Sequence, residues 1–318
     1  MTHAVNINRV VDIAILGAGA VGQLICHQLT TAGMGVGLIG RDSIASIQQT
    51  LSVTPLALAN DNQHKTQALQ YSVPILAANA LVNIRLVIVC VKAYQVLDAL
   101  LPLLNQLPRQ CHILLLHNGM GPHLALAPLI DAQADDRGLS LGTTSQGVLR
   151  QASWQIRQTG QGLTQFGHFA GTELTEHYRN ALLAAIPNSE WVDAIVPCLW
   201  QKLAVNAAIN PLTALYQCPN GTLAEPGFSD MIKGILDELV TVATLEGVPL
   251  DKQLLHDRVY QVIRLTAGNF SSMHQDIAHQ RRTEIDQING YICERAQAHG
   301  LSAPVNADLW ARVKQLEA

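Results

Sequence analysis

A short strand-like run over residues 12–16 is followed at once by Gly17-Ala18-Gly19-Ala20-Val21-Gly22, and then by helical spacing over 20–32. This succession of strand, glycine-rich turn and helix constrains the chain more than any other feature. The first glycine permits a tight turn, the second lets the backbone approach a pyrophosphate, and the third lets helix and strand pack closely. Free N–H groups at the helix start add positive potential. A glycine-rich turn that binds nothing is the plain alternative, but the flanking strand and helix are what a dinucleotide-binding βαβ unit requires.

The first half continues that pattern. The spacing predicts strands over 10–16, 36–39, 86–92 and 113–117, with a helix over 96–107. Buried apolar strands separated by helices argue for a parallel sheet covered on both faces. From 142 to 169 polar and apolar residues alternate over 143–150, 154–158 and 163–166, with a turn at Thr159-Gly160-Gln161-Gly162, which predicts antiparallel strands extending the sheet. A helix is expected over 173–185. From about Ala194 onward no strand is expected: helical spacing runs over 195–209, 229–246, 252–266, 284–299 and 306–316, punctuated by Pro211, Pro219, Pro226, Gly247-Val248-Pro249 and Gly300. The expected fold is α/β, an N-terminal Rossmann-type doubly wound sheet with an antiparallel extension, plus a C-terminal all-helical domain. A single core stops growing at about 250–300 residues, so the 318-residue chain should form two domains, 1–193 and 194–318, packed closely about a cleft.

Composition narrows the function classes. Apolar residues make up 48% and charged residues 14%, against about 25% charged in an average globular chain, which excludes disorder. Mean hydropathy is +0.18, yet the apolar runs are strand-length and cut by Lys92 and His117, short of the about 20 residues that a spanning helix needs. The polar start and early glycine loop lack the layout of a secretion signal, so a cytoplasmic protein is expected. Six scattered cysteines without a CxxC pair read as core thiols, giving neither a disulfide framework nor a thiolate metal site. There is no HExxH, and His274 and His279 are five apart, off a common helical face, so no metal is expected. With net charge −4 and no Lys/Arg run beyond Arg281-Arg282, nucleic acid is not an expected partner.

Three places carry candidate chemistry. At the end of the second strand the chain reads Ile39-Gly40-Arg41-Asp42; an arginine there suits a ribose 2′-phosphate, the rival being Asp42 as the acid that binds a free 2′-hydroxyl. Lys202, Asn206 and Asn210 are spaced four apart, one polar stripe on an apolar helix flanked by Leu199, Leu203, Val205 and Ile209. A lone lysine there is usually solvated, but two asparagines continuing the row argue for a polar-lined cavity, and desolvation lowers a lysine pKa toward proton-transfer use. Ser272 with Gln275, and Thr283 with Asp286, fit capping boxes; capping alone could explain the serine, and Glu284 would then sit in a first helical turn, where the dipole favours a carboxylate anyway. His117-Asn118-Gly119-Met120-Gly121 follows a parallel strand at the end where doubly wound sheets bind ligands.

Taken together these segments resemble the ketopantoate reductase (2-dehydropantoate 2-reductase) family. The resemblance is carried by the glycine loop with Arg41, Val91-Lys92-Ala93-Tyr94-Gln95, His117-Asn118-Gly119-Met120-Gly121, residues 199–210 with Pro211-Leu212-Thr213-Ala214, Cys218-Pro219-Asn220-Gly221, residues 269–276, and residues 282–290. They span nearly the whole chain in the family's order. The resemblance implies NADPH-dependent reduction of 2-dehydropantoate to (R)-pantoate, a step toward pantothenate and coenzyme A. It implies that Lys202 is the general acid and Glu284 the carboxylate that holds the substrate hydroxyl. Asn118, Asn206, Asn210, Asn269 and Ser272 would orient the substrate, while Gly17, Ala18, Gly19, Ala20, Val21, Gly22, Arg41, Lys92, Gln95 and Asn118 would contact the cofactor. Rival readings are an NADP-dependent dehydrogenase of another branched 2-keto acid and a non-catalytic NADPH-binding regulator. Monomer and homodimer both stay open.

Overall fold

A computed structural model describes residues 10–40, 46–56, 67–131 and 136–317. Strand β1 (Ile13–Leu16) turns into helix α1 (Ala20–Thr31), followed by β2 (Val36–Ile39), β3 (Ile47–Thr54), β4 (Leu69–Leu76), β5 (Leu86–Val89), α2 (Val96–Leu104), β6 (His112–Leu115), α3 (Pro122–Asp131), β7 (Gly138–Thr144), β8 (Gly147–Ala152), β9 (Gln155–Gly160), β10 (Thr164–Gly171), α4 (Glu176–Ala185) and β11 (Ser189–Trp191). Helices follow without further strands among the described residues: α5 (Ile195–Tyr216), α6 (Ser229–Leu245), α7 (Lys252–Leu265), α8 (Ser272–Ala278), α9 (Asn289–Ala298) and α10 (Pro304–Leu316). The chain divides into two compact units, Met1–His117 with Pro122–Ile195, and Asn118–Gly121 with Val196–Ala318.

In the first unit the described strands form one sheet of order β11-β10-β7-β6-β5-β1-β2-β4-β3-β9-β8. Its centre is parallel, β2-β1-β5-β6-β7, and every residue of β1, β5 and β6 is buried, as strands covered on both faces require. The expected strand over 143–150 divides: β7 ends at Thr144 beside β6, whereas β8 begins at Gly147 on the far edge. Eight strand spacings of about 4.8 Å separate these positions along the order. Residues 145–146 cannot bridge that distance, so the sheet coils back around α1. The Gln28 side chain of α1 accordingly donates to Gln146 at 2.7 Å, and Val148 and Trp154 pack on the core that holds Leu24 and Ile25.

The second unit is helical around its own core, where Trp200, Leu203, Ala204, Ala207 and Ala208 of α5 meet Ile235 and Leu239 of α6, Ile292 of α9 and Val313 of α10. The expected helix over 195–209 does not stop at Pro211 but runs to Tyr216. That over 284–299 is shorter: a 3-10 turn, Ile285–Gln287, precedes a break at Ile288 (φ −112°, ψ −91°), and α9 begins at Asn289.

Candidate active site

Strands β1, β5 and β6 are in register, Leu16 opposite Val89 and Val89 opposite Leu115, so the segments that follow leave the sheet at a common edge. The glycine loop, Lys92 and Gln95 therefore share that edge. Gly17 has φ +115°, and a Cβ there would lie 2.7 Å from the Val91 nitrogen; one at Gly22 would lie 1.9 Å from the Gly17 oxygen. Gly19 differs. Its φ of −71° is open to any residue, and a Cβ there would meet nothing within 4 Å. Gly19 heads α1 without a side-chain cap. Open space before uncapped N–H groups is what a pyrophosphate needs, so these residues fit a dinucleotide. Gln23 fixes the loop, its Nε2 donating to the Ala18 carbonyl at 2.8 Å and its backbone N–H to Gly19 at 2.9 Å. Lys92, half-buried, heads a 3-10 turn, Ala93–Gln95, in which the Gln95 N–H donates to the Lys92 carbonyl at 2.8 Å. Arg41 and Asp42 lie outside the described residues.

In the second unit α5 presents Lys202 and Asn206 half-buried and Asn210 buried. Lys202 Nζ donates to Asn118 Oδ1 at 2.9 Å. Burial pulls the Lys202 ammonium down to about 8, with the Glu284 charge acting in the opposite direction. The tract carrying Asn118 is docked by its backbone. Gly119 adopts φ +73°, and a Cβ there would lie 2.7 Å from the Gln287 carbonyl, while the Met120 N–H donates to that same carbonyl at 2.8 Å. The 3-10 turn that receives it is headed by Glu284, which is only 4% exposed. Glu284 thus does not occupy a solvated first turn of an α-helix, and the dipole explanation of the carboxylate falls away.

The neighbours of Glu284 are tied to the C-terminal helix. Asp286 accepts from Trp310 Nε1 at 2.8 Å, Arg282 Nη2 at 3.0 Å and Lys314 Nζ at 3.2 Å. Burial pushes the Asp286 carboxyl up, but these donors hold it below the usual carboxylate range. The Thr283 N–H donates to Glu317 at 2.6 Å, and Thr283 Oγ1 accepts from the Ile285 N–H at 3.1 Å, so the expected Thr283–Asp286 box does not form.

The second expected box is displaced by one residue. Ser271, not Ser272, caps α8, its Oγ accepting from the His274 N–H at 3.0 Å and from Thr213 Oγ1 of α5 at 2.7 Å. Ser272 is exposed in the first turn, released from capping. Asn269 is held beside it, its carbonyl accepting from the Asn220 N–H at 2.9 Å, and the Gly221 N–H donates to Ala267 at 3.0 Å. Thr213 and Ser271 are supports that spacing alone missed; a hydroxyl one helical turn beyond the Asn210 stripe was the available signal.

Pro211 has no N–H to give the Ala207 carbonyl four residues back. A buried carbonyl left unpaired costs about 1–3 kcal/mol. Here Asn289 Nδ2 donates to it at 3.2 Å, and so α5 continues through the proline.

Comparison with known proteins agrees across the chain. The sequence profile described as Ketopantoate reductase PanE/ApbA matches residues 13–171, and its companion, Ketopantoate reductase PanE/ApbA C terminal, matches residues 194–317. The 2-dehydropantoate 2-reductase of Vibrio cholerae is 39% identical over 311 residues, 96% of this chain and 98% of that one. A PanE/ApbA family ketopantoate reductase from Ralstonia eutropha JMP134 superposes with a TM-score of 0.78 at 26% identity, covering 96% of this chain and 98% of that one. D-mandelate dehydrogenase, solved with NADH and anilino(oxo)acetate, shares the fold at a TM-score of 0.80 and 22% identity, covering 96% and 98%.

Proposed function

Because this chain belongs to the ketopantoate reductase PanE/ApbA family, we propose that it reduces 2-dehydropantoate to (R)-pantoate with NADPH, a step toward pantothenate and coenzyme A. The observation that carries the reading is the Lys202–Asn118 hydrogen bond, with a buried Glu284 acting on the same ammonium. In this reading residues 1–193 hold the dinucleotide and 194–318 hold the substrate and perform the proton chemistry.

NADPH, when bound, supplies the hydride. Gly17, Ala18, Gly19, Ala20, Val21 and Gly22 would hold its pyrophosphate, Arg41 would pair with its 2′-phosphate, and Lys92, Gln95 and Asn118 would complete its contacts. Lys202 donates a proton to the ketone oxygen as negative charge develops there, which a desolvated ammonium stabilises strongly. Asn118 holds that ammonium through its side-chain oxygen. Glu284 accepts a hydrogen bond from the substrate hydroxyl, and Asn206, Asn210, Asn269 and Ser272 orient the remaining polar groups. No described helix is long and apolar enough to cross a membrane, and we place the enzyme in the cytoplasm with a small-molecule substrate and no nucleic-acid partner.

The deciding experiment measures NADPH consumption with 2-dehydropantoate against 2-ketoisovalerate, which lacks the hydroxymethyl group. Wild type should prefer 2-dehydropantoate strongly, and Glu284→Ala should erase that preference, because a site built around a hydroxyl penalises the analogue lacking it. In parallel, Arg41→Ala should raise KM for NADPH and leave that for NADH unchanged. Equal use of the two ketones by wild type would reassign the substrate to another branched 2-keto acid, a chemistry the shared fold alone does not exclude.

A further inference from the structure

The amide of Asn289 joins two segments that the proposed chemistry depends on. It is fully buried at the start of α9, five residues after Glu284, and one of its N–H groups reaches the Ala207 carbonyl of α5 at 3.2 Å. Its other N–H reaches Asn306 Oδ1 at 2.9 Å, whereas its own Oδ1 has no hydrogen-bond partner. The side chain is thus used through its donor end alone. Asn306 is in turn clamped at the head of α10, its Nδ2 donating to Glu238 at 2.7 Å and its backbone N–H to the same carboxylate at 3.0 Å. Glu238 also accepts from the Val305 N–H at 2.8 Å.

The acceptor on α5 exists only because Pro211 lacks an N–H. It falls between Asn206 and Asn210, five residues beyond Lys202. We infer that Asn289 is a positioning residue: it plugs the gap Pro211 opens in α5 and so sets the Lys202–Asn206–Asn210 row against Glu284. The inference rests on the reading above for the roles of those residues. A buried asparagine that merely anchors α10 would need Asn306 but not Ala207, and that difference is what a double-mutant cycle with Pro211 resolves.

Pro211→Ala restores the helical N–H and makes the Asn289 bond to Ala207 redundant. Asn289→Ala should lower kcat about 10–100-fold, the range of a sub-ångström to one-ångström misplacement, with KM for NADPH within about twofold. The same substitution in the Pro211→Ala background should cost less than about threefold. In parallel, 13C-methylated Lys202, followed by NMR in the unliganded protein, should titrate in the double variant at the value measured for wild type. In Asn289→Ala alone it should depart from that value, because both the burial of Lys202 and its placement against Glu284 change. A single variant that unfolds while the double variant folds also supports the inference. Equal damage in both backgrounds, or unfolding of both, overturns it. Should wild type fail to turn over 2-dehydropantoate, the functional reading falls while the titration cycle still decides the role of Asn289.

Discussion

The two units treat their buried polar chemistry in opposite ways. In the first, burial silences several ionisable side chains about the sheet, pushing the Cys26 and Cys90 thiols up to about 12 and His112 down to about 3, whereas buried Arg137 is held by the Leu104 and Leu107 carbonyls. The loop proposed to hold the pyrophosphate is main chain, with Gly19 open and without a side-chain cap. The second unit keeps half-buried charges and gives them polar partners: Lys202 with Asn118, Asp286 with Trp310, Arg282 and Lys314, and Glu246 with Arg295 at 2.7 Å. The contrast teaches that a grip on a dinucleotide can be built from backbone geometry, which no pH change alters. Moving a proton needs side chains whose charge is held close to its switching point.

The largest effect that could break this contrast is at Lys202. Lys202→Ala should lower kcat about 10²–10⁴-fold, the usual range for a lost general acid, with NADPH affinity nearly unchanged. Because the ammonium is the required form, kcat/KM of wild type should fall as pH rises through about 8. That limb should vanish in the variant. Near-normal turnover in a folded Lys202→Ala, checked by circular dichroism, would remove the second unit's claim to the chemistry.

An intermediate effect separates two glycines of one loop. At Gly22 a Cβ would lie 1.9 Å from a backbone oxygen, so Gly22→Ala should cost about 1–3 kcal/mol of stability through overpacking. Gly19→Ala meets nothing and should cost no more than about 1 kcal/mol, from the poorer helix cap alone. It should nevertheless weaken NADPH binding about tenfold or more, since its methyl group takes the space left for the pyrophosphate. Thermal melts and calorimetric titration read both quantities, and wild-type affinity in Gly19→Ala would contradict the main-chain grip.

The smallest effect concerns acid stability. His112 Nε2 lies 2.8 Å from Ser140 Oγ, and burial, with a smaller contribution from His168, keeps the ring neutral in the fold down to about 3. An unfolded histidine protonates near about 6.5, so between these values the unfolded state binds the extra proton. Stability is then fully present above about 6.5 and lost as pH falls, by up to about 1.4 kcal/mol per pH unit from this residue. Urea unfolding of wild type and His112→Gln between pH 7 and pH 5 should show the shallower slope in the variant. Parallel slopes would mean that His112 is not silenced.

How much was legible follows the same physics. Runs such as 86–89 and 113–115 are recognisable because strands buried on both faces are apolar nearly throughout. Strands β3 and β4 escaped notice, as Ile47, Gln48, Ser72 and their neighbours alternate incompletely at a half-exposed end of the sheet. The Lys202 stripe could be read from four-residue spacing, yet nothing local tells that α5 survives Pro211, because the compensating donor, Asn289, is 82 positions away. Capping boxes at 272 and 283 were misplaced for a related reason. Ser271 and Ser272 are chemically equal as caps, and only the tertiary bond from Thr213 selects between them.

The stitch formed by Asn118–Gly121 reaches beyond the site. These residues are an outpost of the helical unit embedded in the other unit's stretch of sequence, and Met120 is part of the helical core. A gene fragment encoding Val196–Ala318 alone would inherit Lys202 without its Asn118 partner and a core missing one of its side chains. The helical part taken from Val196 onward is therefore incomplete in both its core and its candidate site.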